Sequence, residues 1–275
     1  MKLNLLYFTI LFLVCVACTG SQTSSKGDES HTTRKPNKEK PVIEKKNYTG
    51  GLQIEWFSKQ NGPLLQDGDL VDIRYEVRLK NGKIVDGNKL AHKNSLPFLV
   101  GFKMQTPGWD IALRELHVGD SARIIIPSKL ARGDKGVKGL IPPNSDNILF
   151  IKVLKFINPT RTVDGTRVWL LEENKSNKLK FSDKQTIFLH AMGSTPTSSE
   201  FVNTFRLGQP FSFRLADHGL VPGLKKALIN SKKFDRLFIV VPPEDAYGSK
   251  GYLDMVKPNE TVFYNVLVLD VVNTP

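Results

Sequence analysis

The sequence contains very little cysteine, and both cysteines lie close to its start. They are Cys15 and Cys18, so no disulfide can cross-link the remainder of the 275-residue chain. The chain also lacks a hydrophobic run long enough for a stable transmembrane helix, because the apolar stretch from Leu5 to Ala17 is too short. A short apolar run after a single lysine is typical of a secretory signal. The sequence therefore predicts that residues 1–17 are a signal peptide.

Several kinds of site are missing from the sequence. The five histidines show no metal-ligand spacing, and the glycine-rich stretch 133–139 lacks the Gly-Lys-Ser/Thr ending of a phosphate-binding loop. A formal charge of +12 favours acidic surfaces, but neither an aromatic-basic stacking pattern nor a nucleic-acid motif accompanies it. No hydrolytic nucleophile-base pair emerges. We therefore expect no metal, no cofactor and no nucleic-acid partner.

The segment after the apolar run is rich in Ser, Thr and Lys and has too little apolar surface to fold by itself. The sequence Cys-Val-Ala-Cys at its start resembles a bacterial lipobox, in which Cys18 would be lipidated. The resemblance predicts a lipid anchor at Cys18 and a flexible polar tether over residues 18–49. It also predicts a place in a bacterial cell envelope, facing the periplasm or the cell surface.

The rest of the chain contains an internal repeat. The segment Thr106–Gly133 aligns without a gap to Val221–Gly248 at an offset of 115 residues, and the two share prolines, glycines and aspartates at matching positions. Solenoid repeats have periods of about 20 to 50 residues, so this period is the size of a small domain. The sequence predicts that one fold occurs twice.

Within the first repeat, residues 70–79 alternate between apolar and charged side chains, which predicts a strand with one wet face. Asn81-Gly82 follows as a hairpin turn. After Pro107, apolar residues with the spacing of one helical face predict a short amphipathic helix. Two apolar runs beyond the helix predict buried strands. Each repeat is therefore expected to be an α+β unit, an antiparallel sheet wrapped on one short amphipathic helix.

The ordered motifs Tyr-Glu-Val-Arg-Leu-Lys-Asn-Gly, Thr-Pro-Gly-Trp and Leu-Ile-Pro-Pro resemble the FKBP-type peptidyl-prolyl isomerase domain. The resemblance implies a first FKBP-like domain at residues 50–158 and a divergent second one at 159–275. Peptidyl-prolyl isomerases ease rotation about X-Pro amides, and this activity needs a dry apolar cleft with a few polar groups and no cofactor.

The resemblance implies a catalytic role in the first repeat for Tyr75, Asp86 and Trp109, with the indole as a floor under the proline ring. It implies substrate contacts for five further residues of this repeat: Val85, Phe98, Thr106, Ile141 and Leu149. Three positions depart from the family pattern, because Val85, Arg132 and Leu149 replace aromatic residues. Without the resemblance, a Tyr on an apolar strand and a Trp at a helix start would be interpreted as core residues.

In the second repeat the resemblance implies substrate contacts for Phe211, Val221, Tyr247 and Tyr264, and Phe201 is a further candidate wall. Here His190 replaces the wall tyrosine, Leu224 replaces the floor tryptophan, and no aspartate is present. The resemblance thus implies an isomerase that assists the folding of exported proteins, with proline-containing unfolded or exported polypeptides as partners and the first repeat as the main catalyst. The alternative is a non-catalytic proline-binding chaperone or envelope assembly module.

Overall fold

The computed structural model describes residues 40–217 and 219–273. The predicted signal peptide and the anchor residue Cys18 lie outside the described residues. The first repeat contains seven strands and one α-helix: β1 Glu44–Asn47, β2 Gln53–Ser58, β3 Leu70–Arg78, β4 Ile84–Gly87, β5 Leu96–Leu99, α1 Pro107–Leu113, β6 Ser121–Ile126 and β7 Asn147–Phe156. The second repeat follows with β8 Arg161–Val163, β9 Thr166–Glu172, β10 Gln185–Ser194, β11 Val202–Asn203, α2 Thr204–Leu207, β12 Phe211–Phe213, α3 Pro222–Leu228, β13 Arg236–Val241 and β14 Val262–Asn273.

The strands form two seven-stranded sheets, one in each repeat. The first sheet has the order β1-β2-β6-β7-β3-β4, with β5 paired to β3, and the second has the order β11-β10-β14-β13-β9-β8, with β12 paired to β10. Neighbouring strands run antiparallel, as in the pairs β6–β7 and β13–β14. The predicted α+β class with two tandem domains is confirmed.

Strand β3 shows the predicted alternation. Ile73, Tyr75 and Val77 are buried, whereas Arg74 between them is exposed. The Asn81-Gly82 turn joins β3 to β4, with Gly82 in the left-handed region at φ 84° and its amide bonded to the carbonyl of Leu79. Glycine adopts this conformation without the steric cost of a Cβ. The turn fixes the register in which β4 pairs with β3, and so it places Asp86 beside β3.

The first strand lies within the segment predicted to be a tether. Residues Glu44–Asn47 pair with Gln53–Trp56 of β2, although all four side chains are exposed. An edge strand of this kind is held by backbone hydrogen bonds and carries no apolar side-chain pattern. The folded part therefore begins before residue 49, the end predicted for the tether.

The described chain separates into two compact units whose limits differ from those of the repeats. The first unit contains the described residues up to Pro63, together with Ile73–Leu96 and His117–Leu154. The second contains Leu64–Asp72, Pro97–Leu116 and the described residues from Lys155 onward. The segment that carries α1 thus belongs to the same compact unit as the second repeat.

Each repeat has a buried aspartate that organises local backbone. The Asp120 carboxylate accepts hydrogen bonds from the amides of Gln60 at 2.7 Å and His117 at 3.0 Å, and from the Trp56 indole at 3.2 Å. At the offset of 115 residues, Asp235 accepts from the amides of Asn174 and Lys232 at 2.9 and 2.8 Å. Both carboxylates are at least 98% buried. A buried carboxylate is tolerated when backbone donors satisfy it, so the repeated aspartates have a structural role.

In the second unit, a core of aliphatic and aromatic side chains lies between the sheet and α3. The helix packs against β8, β9 and β13, and its buried residues Leu224, Ala227 and Leu228 belong to that core. This is the one-helix packing that the apolar spacing predicted. Leu224 is 3% exposed.

Candidate functional site

The first group of candidate residues centres on Tyr75 and Asp86, on the paired strands β3 and β4. The Tyr75 hydroxyl donates to Oδ1 of Asp86 at 3.2 Å, and the Gly87 amide donates to the same oxygen at 2.7 Å. The Tyr75 amide is itself held by Oδ1 of Asn88 at 2.5 Å. Both residues of the pair are therefore fixed by the hairpin that positions them.

Gly87 permits the close approach of these strands. Its φ of 150° lies in a region that L side chains rarely adopt, and an added Cβ would come 3.0 Å from the carbonyl oxygen of Tyr75. A side chain at this position would push β4 away from β3. The glycine thus keeps Asp86 within reach of the tyrosine hydroxyl.

Burial shifts the pKa of both members of the pair upward. Burial, with the Asp86 charge as a second cause, raises the pKa of Tyr75 far above its ordinary value, so the phenol keeps its proton at neutral pH. Burial also raises the pKa of Asp86, while the Gly87 amide, the Tyr75 hydroxyl and the charge of Arg132 oppose that rise. The site offers a protonated donor beside a partly desolvated carboxyl.

Arg132 stands where the family pattern has a tyrosine, and it is half-buried in the same compact unit as Asp86. Burial lowers the pKa of the guanidinium, and the Asp86 charge opposes that effect. The loop that follows is closed by an antiparallel bridge between Val137 and Ile141, and Ile141 is 7% exposed. The loop that carries Ile141 is thus closed by backbone hydrogen bonds of its own.

Two residues of this unit that are predicted to contact the substrate, Val85 and Leu149, are buried in strands of the sheet. Val85 is buried in β4, where it lies between Ile84, which is exposed, and Asp86, which is half-buried. Leu149 of β7 has no exposed surface and pairs with Ile124 of β6. The structure therefore places Leu149 inside the packed sheet.

The second group of candidates surrounds Trp109 in the second compact unit. Trp109 lies in the first turn of α1, and its amide donates to the carbonyl of Thr106 at 2.9 Å. Its indole stacks on the ring of Phe98 with centroids 5.4 Å apart and planes 14° apart. Trp109 and Phe98 are 2% and 3% exposed. Thr106 is the N-cap residue of α1, and its hydroxyl is buried without a hydrogen-bond partner among the described residues.

The structure thus brings Tyr75 and Asp86 together in one compact unit and Phe98 and Trp109 together in the other. Val85, Ile141 and Leu149 belong to the first unit, and Thr106 belongs to the second.

In the second repeat, an aromatic cluster gathers three candidates and one residue that sequence reasoning missed. The Phe201 ring meets Tyr264 edge-on at 5.5 Å and Tyr247 at 6.1 Å, and the two tyrosine hydroxyls lie 3.4 Å apart. Tyr252, the missed residue, stacks on Tyr247 at 4.9 Å. Tyr252 takes the position of Val137 in the repeat and is bridged to Val256 in the same way, so the offset predicts its place in the loop but not its aromatic contact.

Within this aromatic cluster Phe201 and Tyr264 are buried, Tyr247 is half-buried and Tyr252 is exposed. Burial raises the pKa of both Tyr247 and Tyr264, so their hydroxyls remain protonated at neutral pH. Phe201 lies over Gly193, where an added Cβ would come 2.5 Å from the ring. The cluster has an apolar wall, but Leu224 and Val221 of the core lie where the first repeat has Trp109 and Thr106.

The remaining departures of the second repeat form their own contacts. The ring of His190 stacks on Phe205 at 5.1 Å, and its Nδ1 lies 3.1 Å from the Thr204 hydroxyl. Burial lowers the pKa of His190. His190 therefore occupies a hydrogen-bonded position beside α2. Phe211, another candidate of this repeat, is 40% exposed on β12.

Over the described residues, no group of His, Cys, Asp or Glu has an arrangement that would hold a metal ion. In the same part of the chain, no helix is long and apolar enough to cross a membrane.

Comparisons of the sequence with known proteins identify the family to which both repeats are similar. A sequence model described as FKBP-type peptidyl-prolyl cis-trans isomerase matches residues 62–154 and 177–269. The mouse peptidyl-prolyl cis-trans isomerase FKBP10 is 28% identical over 209 residues, which are 76% of this chain and 35% of that protein. Yeast FK506-binding protein 1 is 36% identical over 107 residues, which are 38% of this chain and 93% of the yeast protein. The chain thus spans about a third of the length of the mouse relative.

Solved structures are similar as well. The three FKBP domains of wheat FKBP73 cover 82% of this chain and 97% of their own, at 22% identity and a TM-score of 0.41. FkpA from Escherichia coli is 32% identical, covers 43% of this chain and 53% of its own, and has a TM-score of 0.38.

Proposed function

The chain belongs to the FKBP-type peptidyl-prolyl cis-trans isomerase family, and we propose that it catalyses cis-trans isomerisation of X-Pro bonds mainly through its first repeat. The barrier to this rotation is about 18–20 kcal/mol and arises largely from amide resonance, whereas the two isomers differ by only about 0.5–1 kcal/mol. A catalyst therefore needs to favour the twisted amide, and neither proton transfer nor a covalent intermediate is required.

The proposal assigns a role to each group of candidate residues. Trp109 supplies an apolar floor for the prolyl ring, as the family resemblance implies. Tyr75 and Asp86 supply the polar wall, with the protonated tyrosine as a fixed donor and the carboxyl close to the substrate carbonyl. Dry surroundings remove water from that carbonyl and so disfavour the planar, charge-separated amide.

The observation that carries the proposal is the Tyr75–Asp86 pair, with the hydroxyl 3.2 Å from the carboxylate and the tyrosine 7% exposed. Burying a tyrosine hydroxyl and a carboxyl costs free energy that their hydrogen bond offsets in part, and buried ionisable groups of this kind are concentrated at functional sites. The match of the family model to residues 62–154 includes both members and Trp109.

The test is proline-limited refolding of a substrate protein with small amounts of the full chain. We expect the wild type to accelerate the slow phase, Asp86→Asn to weaken that acceleration about tenfold, and Asp134→Asn to leave it unchanged. Asp134 is an exposed aspartate of the same repeat, which makes it a matched control. No acceleration by the wild type, or full activity of Asp86→Asn, would contradict the proposal.

A second function is favoured by the aromatic cluster of the second repeat. It offers Phe201, Tyr247 and Tyr264 as walls, but it has Leu224 in place of the indole and no aspartate in the segment around Phe201. Such a site suits binding of proline-bearing segments without turnover, as in a chaperone or an envelope assembly module. In that case the Trp109→Leu protein would lose most of its isomerase activity and still suppress aggregation of an unfolded client.

We also propose that the protein is held at a bacterial cell envelope by lipid on Cys18, facing the periplasm or the cell surface, and that its partners are unfolded or exported polypeptides that contain proline. The support is the lipobox-like sequence around Cys18 and the polar segment that follows it. Incorporation of labelled palmitate is expected in the wild type and not in Cys18→Ala. A membrane-bound Cys18→Ala protein would refute the anchor.

A further inference from the structure

A tight turn between β5 and α1 connects Phe98 to Trp109. Gly101 and Lys103 of this turn both have left-handed backbones, at φ 81° and 51°. The carboxylate of Asp110 accepts hydrogen bonds from the amides of both residues, each at 3.0 Å. Asp110 directly follows Trp109 and is 5% exposed. The turn is therefore tied to the helix residue next to the indole.

The same turn is held from its other side by the second repeat. Ser194, the last residue of β10, donates its hydroxyl to the carbonyl of Phe102 at 2.7 Å. Ser194 has no exposed surface and Phe102 is 3% exposed, so this hydrogen bond is shielded from water. The Phe102 ring also meets Phe263 of β14 edge-on at 6.2 Å.

A second hydrogen bond joins the same segments. The Lys103 ammonium donates to the carbonyl of Thr197 at 2.5 Å. All of these residues belong to the second compact unit, which contains Pro97–Leu116 together with the second repeat.

The left-handed conformation of Lys103 is the reason that these bonds matter. A non-glycine residue in this region is strained and persists only where its surroundings hold it. Asp110 holds the amides of the turn, and Ser194 holds the carbonyl between them. Loss of the Ser194 hydroxyl would leave that buried carbonyl without this donor and would loosen the turn.

We infer that Ser194 of the second repeat is a positioning residue for Trp109 of the first. Its hydrogen bond to Phe102 fixes the turn that Asp110 ties to α1, and so fixes the helix start from which the indole projects. The second repeat thereby contributes to activity in the first. This inference rests on the proposed function in so far as it concerns turnover.

A serine at the position of Ser194 occurs only in the second of the two repeats. At the offset of 115 residues, Ser194 corresponds to Leu79, which has no hydroxyl. The bond is therefore a feature of this chain that the repeated fold does not itself require.

The test compares Ser194→Ala with Ser231→Ala in the full chain. Ser231 is a matched control, because it is a serine of the second repeat that is 3% exposed and whose hydroxyl has no hydrogen-bond partner among the described residues. Two quantities are measured at a temperature where all proteins are folded: kcat/KM on an X-Pro peptide, and acrylamide quenching of Trp109 fluorescence. The Trp109 signal is isolated by subtracting the spectrum of the same variant carrying Trp109→Leu.

We expect Ser194→Ala to lower kcat/KM about fivefold, the factor that corresponds to one net hydrogen bond, and to increase quenching of Trp109. Ser231→Ala should change neither quantity. Wild-type quenching and activity in Ser194→Ala, or equal changes in Ser231→Ala, would overturn the inference. If the wild type has no isomerase activity but Ser194→Ala still exposes Trp109, the proposed function fails and the positioning role stands.

Discussion

Replacing Trp109 with leucine tests the role of the indole, because leucine is the residue that the second repeat has at the same position. The substitution keeps the site apolar and removes the flat ring. Trp109 is 2% exposed and stacks on Phe98 with centroids 5.4 Å apart. The change therefore removes both buried area and an aromatic contact.

Two terms give the size of the effect on folding. Losing roughly 70 Å² of buried apolar surface costs about 2 kcal/mol, and losing the ring pair costs about 1 kcal/mol more. The free energy of unfolding should then fall by about 3 kcal/mol. For catalysis, loss of an aromatic face beneath a prolyl ring raises the activation free energy by about 1.4 kcal/mol. We therefore expect kcat/KM to fall by a factor of about ten or more.

The matched control is Trp169→Leu. Trp169 is also 2% exposed, and its indole donates to the carbonyl of Ile157 at 2.7 Å, so its loss should cost at least as much stability. Denaturant unfolding and peptide isomerisation are measured on both variants. The reasoning is refuted if Trp109→Leu keeps its activity within twofold of the wild type, or if Trp169→Leu loses as much activity at the same folded fraction.

Two further predictions concern stability. Asp120→Asn should lower the free energy of unfolding by about 3 kcal/mol, because an amide nitrogen would face a backbone donor in a site with no exposed surface; an unchanged Tm would contradict this. Burial tends to raise the pKa of Glu55, but Arg123 at 2.6 Å and Lys45 at 3.3 Å lower it overall. The ionised form therefore stabilises the fold above pH 4.5, and this stabilisation is lost as pH falls through the lowered pKa. Glu55→Gln should then cost about 1 kcal/mol at pH 7 and less in acid, and an equal cost at both pH values would refute the reasoning.

The repeat made much of the fold predictable. An offset of 115 residues links Asp120 to Asp235, and both prove to be buried acceptors of backbone amides. It also links the bridge Val137–Ile141 to Tyr252–Val256. Such features are local and depend on turn chemistry, which short motifs specify well.

Other features lay beyond the sequence pattern. The exposed side chains of Glu44–Asn47 carry no apolar alternation, because that edge strand is held by backbone hydrogen bonds to β2 and by surface ion pairs such as Lys45–Glu55 and Lys59–Glu44. The apolar run of β6 predicted a buried strand, yet only alternate residues of β6 are buried, whereas every residue of β13 is buried. An apolar run does not specify which faces of a strand will be covered, because packing partners far away in sequence decide it.

The local placement of the candidate residues on their strands and helix was predictable from the sequence, whereas their tertiary contacts were not. The motif placed Tyr75 and Asp86 on a hairpin, and their hydrogen bond follows from that geometry. The stack of Phe98 on Trp109 and the bond from Ser194 to Phe102 were not predicted. Both join segments through tertiary packing, and the Ser194 bond spans 92 residues, a distance over which no local periodicity operates.

The most direct test of the account is the cis-trans exchange rate of a short X-Pro peptide, measured by exchange NMR with the full chain at substoichiometric concentration. The account predicts a rate that rises in proportion to protein concentration and returns nearly to the uncatalysed value with Trp109→Leu. An exchange rate equal to that of the free peptide at every protein concentration would contradict it.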